Sequence, residues 1–258
     1  MDFSFIDSAD RTDTGRLRLH NEDAVLRLPE HGIFGVADGI GGAMGGEMAS
    51  RTVMQSLHEE FVGTEGEGSV GSLEAGVAAV NRATARANAC IRAQAEAWGT
   101  TGVGTTVVIM VFGVRPGGGA AILHAGDSRA YRMRRGELRQ LTVDHSVAAA
   151  FGMESEETLP RVFRGVITRA VGMSPDVTLE ETPVEVVPGD LFLVCSDGLT
   201  RMVRVGELGR VLAEERDGDL QALAERLVAM ANEAGGEDNV SVVLVRVAKN
   251  DTTTVSAG

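Results

Sequence analysis

The 258 residues suit one large domain or two small ones, and the 43% hydrophobic share is ordinary for a globular chain. A formal net charge of −13, with no basic tract, argues against nucleic acid as a partner. Two distant cysteines, Cys90 and Cys195, exclude a disulfide framework and point to a reducing compartment; the opening MDFSFIDSADRTDTG does not read as a signal peptide, and no run of 18 apolar residues marks a membrane segment.

In chain order, Phe3 to Asp10 reads as a strand, and the turn-rich Arg11 to Asp23 follows. Ala24 to Leu28 and Ile33 to Val36 predict a hairpin around Pro29-Glu30-His31-Gly32. Apolar spacing predicts a helix over Gly46 to Phe61, and Gly63 to Ser72 is a flexible connector. The alanine-rich Leu73 to Trp98 predicts a second helix, antiparallel to the first. Strands are expected over Val103 to Val114, Ala120 to Ala125, Arg129 to Arg134 and Glu137 to Thr142, with turns at Pro116 to Gly119 and Arg135-Gly136. Asp144 to Gly172 is irregular and fits a small flap. Val177 to Val187 and Asp190 to Cys195 resume strands, Val205 to Glu215 and Leu220 to Ala234 are helices, and Val240 to Val247 is the last strand. Lys249 to Gly258 reads as a disordered tail. Strands in runs and helices in pairs predict an α+β fold of antiparallel sheets with helices packed outside.

Four of these strands meet an aspartate at one end: Asp38 in FGVADGIGG, Asp127 in AILHAGDSR, Asp197 in LFLVCSDG and Asp238 before VSVVLVRV. A lone aspartate there is usually a cap or turn residue. Four of them, three with a small neighbour (Gly39, Ser128, Gly198), point to one shared metal site, because carboxylates that meet with nothing between them repel. Oxygen-only ligands suit magnesium or manganese, and five scattered histidines without HxH or HExxH spacing argue against zinc. Arg18, just before Asn21-Glu22-Asp23, is either a surface ion pair or a guanidinium that grips a tetrahedral oxyanion.

Two rival readings come from other classes. Cys195 and Arg201 have the C-x5-R spacing of cysteine phosphatases, although Val194 stands where a histidine is expected and Asp197 would repel phosphate. Gly39-Ile40-Gly41 with Gly45 mimics a dinucleotide-binding turn, with Asp38 of the wrong charge for pyrophosphate. A binding module with a dead site is the third alternative.

The ordered series RLHNED (18–23), VADGIGG (36–42), GTT (104–106), GDSR (126–129), DHS (144–146), ITRAVG (167–172), SDGL (196–199) and EDN (237–239) resembles the metal-dependent serine/threonine protein phosphatases of the protein phosphatase 2C type, most closely their compact bacterial branch. The resemblance implies a four-layer α-β-β-α sandwich, two antiparallel sheets flanked by helix pairs, forming one catalytic domain over 1–248. It implies two manganese or magnesium ions and a bridging hydroxide that attacks phosphoserine or phosphothreonine directly. Asp38 would bridge the ions, the Gly39 carbonyl would be a ligand, and Asp197 and Asp238 would share one ion. Asp127, beside Ser128, would hold with Asp197 the third ion of bacterial members. Arg18 would bind the phosphate, Glu22 and Asp23 would orient water, and Asn239 would support Asp238. Ile40 stands where animal members have a histidine, which leaves the leaving-group acid open. The expected setting is a cytoplasmic monomer acting on phosphoproteins opposite a serine/threonine kinase.

Overall fold

The computed structural model describes residues 3–63, 72–114, 117–153 and 159–249. Residues 64–71 of the expected connector, 154–158 of the flap and 250–258 of the tail lie outside the described residues. Eleven strands among the described residues form two antiparallel sheets. One sheet has the order β1 (Ile6–Asp13), β11 (Val240–Val247), β10 (Leu191–Cys195), β7 (Arg129–Arg134), β8 (Glu137–Gln140). The other has β2 (Asp23–Leu28), β3 (Ile33–Ile40), β5 (Val107–Phe112), β6 (Ala120–Ala125), β9 (Glu180–Val184), with the two-residue β4 (Gly104–Thr105) on the end of β3.

Period-two alternation explains the layering. On β5, Val107, Ile109 and Val111 face one core while Val108, Met110 and Phe112 face another. On β11, Val240, Val242 and Leu244 alternate in the same way with Val243, Val245 and Val247. Both faces of these central strands are therefore buried, which is why they read as unbroken apolar runs. The central core between the sheets holds Phe34, Phe112 and Phe192 in edge-to-face contacts at 5.8 and 5.7 Å.

The outer cores are closed by helices. α1 (Ala43–Val62) and α2 (Leu73–Ala97) cover the β2–β9 sheet. Glu60 meets Arg82 and Arg86, and the Ser56 carbonyl accepts from Arg86, so the two helices run antiparallel. α5 (Val205–Glu215) and α6 (Leu220–Glu233) cover the β1–β8 sheet. On α6 the buried Leu220, Leu223, Ala224, Leu227, Val228 and Ala231 form one stripe, and the Asp219 carboxylate caps the first turn by accepting from Gln221 and Ala222 N–H. No helix among the described residues is long and apolar enough to cross a membrane.

The four-layer sandwich matches the expected fold, with local differences. β1 lies three residues later than Phe3 to Asp10, because its ladder with β11 runs from Ile6 to Asp13. The strand expected over Val103 to Val114 breaks at Thr106, whose Oγ1 accepts from Asp38 N–H and whose own N–H bonds the Asp38 carbonyl. α1 begins at Ala43, not Gly46. A short helix, α4 (Asp197–Met202), follows β10, where the sequence predicts only the end of a strand. Within the flap lie the short helix α3 (Val147–Ala150), capped by Ser146, and a single 3-10 turn over Arg161–Phe163. Arg135 (φ 54°) and Gly136 (φ 86°) make the tight β7–β8 turn.

Candidate metal centre

The site lies where strand ends from both sheets converge. Asp38 is near the end of β3 and pairs in register with Asp23 at the start of β2. Asp127 lies on the crossing from β6 to β7, that is, from one sheet to the other. Asp197 opens α4 directly after β10, and Asp238 precedes β11. Asp38 feels the charges of Asp23, Asp197, Asp127 and Asp238. Burial first, then these neighbours, push the Asp38 carboxyl well above the usual range. Burial likewise raises Asp23 and Asp127 to about 7, and Asp197 is raised by burial as well.

Close backbone packing fixes these positions. Gly39 N–H bonds the Glu22 carbonyl, and a Cβ at Gly39 would overlap the Gly46 carbonyl. A Cβ at Gly198 would overlap the Asn239 carbonyl, so the start of α4 lies directly against the Asp238 loop. The Asp38 carbonyl accepts from Thr105 Oγ1 and Thr106 N–H, and Thr106 Oγ1 bonds Ser128 Oγ at 2.7 Å. Ser128 is thereby linked through Thr106 to Asp38.

The remaining expected residues are also present at the site. Arg18 Nη2 is 2.8 Å from Asp238 Oδ2, and its side chain is half exposed. Glu22 is buried, and burial raises its carboxyl against the lowering effect of Arg18. Asp23 Oδ2 accepts from Ser196 Oγ. Asn239 donates its backbone N–H to Asp238 Oδ1 at 2.8 Å, and its side chain holds a neighbouring loop. Its Oδ1 accepts from Glu22 N–H at 2.8 Å, and its Nδ2 donates to the Thr14 and His20 carbonyls at 2.8 and 2.9 Å. It thus holds the loop that carries Arg18 and Glu22, while only its backbone N–H reaches Asp238. Arg201, absent from the sequence-derived set, contacts Asp197 at 2.6 Å and Asp127 at 3.7 Å. Its i+4 spacing from Asp197 is the signal that could have found it.

Two buried oxygens, Asp23 Oδ1 and Asp197 Oδ1, have no hydrogen-bond partner among the described residues. Buried carboxylate oxygens without partners, in a cluster of like charge, fit a hard divalent cation. A second group, His124, His145 and Glu180, also brings ligand-type atoms within 4.8 Å. There His145 Nδ1 accepts from Gly126 N–H and Nε2 faces Glu180 at 3.0 Å, so both ring nitrogens are engaged. With Thr168 N–H on the His145 carbonyl, this group anchors the flap beside Asp127. Asn88 on α2 anchors the other end, accepting from Gly172 N–H and donating to the Ser174 and Pro175 carbonyls.

The rivals do not fit. Cys195 is buried in the middle of its sheet and burial pushes its thiol up to about 12, far from a thiolate nucleophile. β3 pairs antiparallel with both neighbours, so no βαβ unit follows the glycine turn.

Known proteins share this fold. The protein phosphatase 2C profile matches residues 16–244. The serine/threonine phosphatase stp of Listeria monocytogenes serovar 1/2a is 32% identical over 243 residues, 91% of this chain and 93% of that protein. Among solved structures, PppA of Pseudomonas aeruginosa, described as a key regulatory component of T6SS, superposes with a TM-score of 0.82 at 34% identity, over 93% of this chain and 97% of that one. The catalytic domain of the serine/threonine protein phosphatase PstP in complex with two manganese ions matches with a TM-score of 0.78 at 32% identity, over 95% and 99%. Fold, cluster and relatives define a class, the serine/threonine protein phosphatases, enzymes whose substrates are phosphoproteins. Within it, the chain belongs to the protein phosphatase 2C family and to its bacterial branch.

Proposed function

We propose that one catalytic domain over 1–248 removes phosphate from serine and threonine side chains by direct attack of water at a binuclear manganese or magnesium centre. The observation that carries this reading is the set of unpartnered buried oxygens on Asp23 and Asp197 within a cluster of aspartates. Asp38, the Gly39 carbonyl, Asp197 and Asp238 would hold the ions, Asp38 being shared. When bound, the ions supply water activation at neutral pH and positive charge for the phosphoryl oxygens.

The chain supplies the rest. Arg18, positioned by Asp238, presents its exposed guanidinium donors to the phosphate. Asp23, held by Ser196 through Oδ2, offers Oδ1 to orient water and accept its proton. Glu22 orients water from the Arg18 side, and Asn239 fixes the loop that carries both residues. A cytoplasmic monomer opposing a serine/threonine kinase is the expected setting; the unpaired Cys90 and Cys195 suit a reducing compartment.

The test is hydrolysis of an aryl phosphate with manganese, with chelator and with Asp38→Ala. Activity that needs manganese and falls by a factor on the order of 10³ in the variant is expected. Activity indifferent to chelator would overturn the metal centre.

A further inference from the structure

One cation among these carboxylates belongs to the chain. Arg201 follows Asp197 by four residues on α4, so the two side chains share a helix face with the acid N-terminal to the base. Its Nη2 is 2.6 Å from Asp197 Oδ2 and 3.7 Å from Asp127 Oδ2. The two acids are each about nine-tenths buried, whereas the Arg201 side chain is 44% exposed and lies at the rim of a 570 Å³ cavity shared with Arg129, Asp144 and Ser146. The flap leaves room for the guanidinium at Gly165, where a Cβ would stand 3.4 Å from the same Nη2. Arg201 therefore fills the gap between Asp127 and Asp197 from the flap side.

The two oxygens of Asp197 divide their work. Oδ2 is on Arg201, while Oδ1 is buried and unpartnered. Asp197 thus keeps one oxygen for an ion without giving up the arginine. Asp127 lies farther along, with Arg201 as its nearby positive charge. A third divalent ion placed between Asp127 and Asp197 would meet the guanidinium at a few ångströms, a repulsion of like charges. The tethered cation has the advantage, because it is always present at high effective concentration. An ion offered only these two carboxylates, both facing Arg201, must hold most of its ligands as water.

We propose that Arg201 is a resident cation that takes the place of a third metal ion between Asp127 and Asp197, so that the chain loads two ions and not three. This rests on the binuclear reading above. Arg201 is a positioning residue here, fixing Asp127 and one oxygen of Asp197.

The test is calorimetric titration of the chelator-treated full chain with MnCl2, with metal content after dialysis as a second readout. Two ions are expected for the unaltered chain and for Arg201→Lys, and three for Arg201→Ala. Three ions in the unaltered chain, or two in Arg201→Ala, would overturn the assignment. Should Arg201→Ala fail to fold, Asp127→Asn with Arg201 in place decides the matter. It is expected to keep two ions, and the loss of one would show that Asp127 serves a metal. No manganese bound by the unaltered chain would remove the binuclear centre itself, and this inference with it, whereas a count of three removes only the role of Arg201.

Discussion

Asp23 and Asp38 face each other across the β2–β3 ladder, two carboxyl groups in direct register. The neighbouring Glu22–Gly39 pair carries the backbone hydrogen bond, which makes Asp23–Asp38 the pair whose side chains approach more closely. Like charges placed there are destabilising. The sequence tolerates this at a site built to receive positive charge.

The pair sets a pH dependence for metal-free protein. The Asp23 carboxyl rises from 3.8 to about 7, chiefly through burial. The folded state then holds the proton more tightly than the unfolded state. The resulting stability is present below about pH 4 and is lost as pH climbs toward 7. In chelator-treated protein, Asp23→Asn is expected to raise Tm by several degrees at pH 7.5 and by clearly less at pH 5, where only part of the stability has been lost. Thermal melts at both pH values check this, and an equal shift at both would count against charge crowding.

On the proposed reading Arg18 serves the substrate, and its pair with Asp238, half exposed, contributes little to the fold. Arg18→Ala is expected to raise KM for a small phosphate ester about tenfold or more, with a smaller change in kcat. Steady-state kinetics at saturating manganese measure both. An unchanged KM would remove Arg18 from phosphate binding.

Asn239 is buried and makes three bonds to the loop ahead of β2. Asn239→Ala strands those backbone groups, so a loss of ~2–4 kcal/mol is expected. Asn239→Asp should not rescue it, since a carboxylate can accept from Glu22 N–H but cannot donate to the Thr14 and His20 carbonyls. Chemical denaturation of the two variants checks both statements.

The thiols give a contrast. Cys90 is exposed and Cys195 is buried. Iodoacetamide is expected to label Cys90 alone in the folded protein and to leave phosphatase activity intact. Mass spectrometry of the labelled peptides, read beside the assay, checks this; activity lost in step with Cys195 labelling would make the thiol the nucleophile.

Elements with a strong local pattern were legible in the sequence. Leu220–Glu233 and Val240–Val247 match their predicted spans to within a residue, because apolar spacing alone defines them. α4 was missed because six residues opening on a strand end carry too little periodicity. The break at Thr106 and the bonds of Asn239 are long-range, to Asp38 and to Thr14 through Glu22, and no local pattern announces them. The gathering of Asp38, Asp127, Asp197 and Asp238 was visible as four strand ends with acids. The position of Arg201 was not, since its partnership with Asp197 follows only once Asp197 is known to begin a helix.

The acids of this centre come from both layers of the sandwich, with Asp127 on the chain crossing between them. Ions held there would act as a clasp along one edge of the molecule, and chelation would leave the facing carboxyls to pry that edge apart. Scarcity of the metal would then shorten the lifetime of the protein as well as slow its turnover. The amount of enzyme in a cell, as well as its rate, would track the supply of the ion.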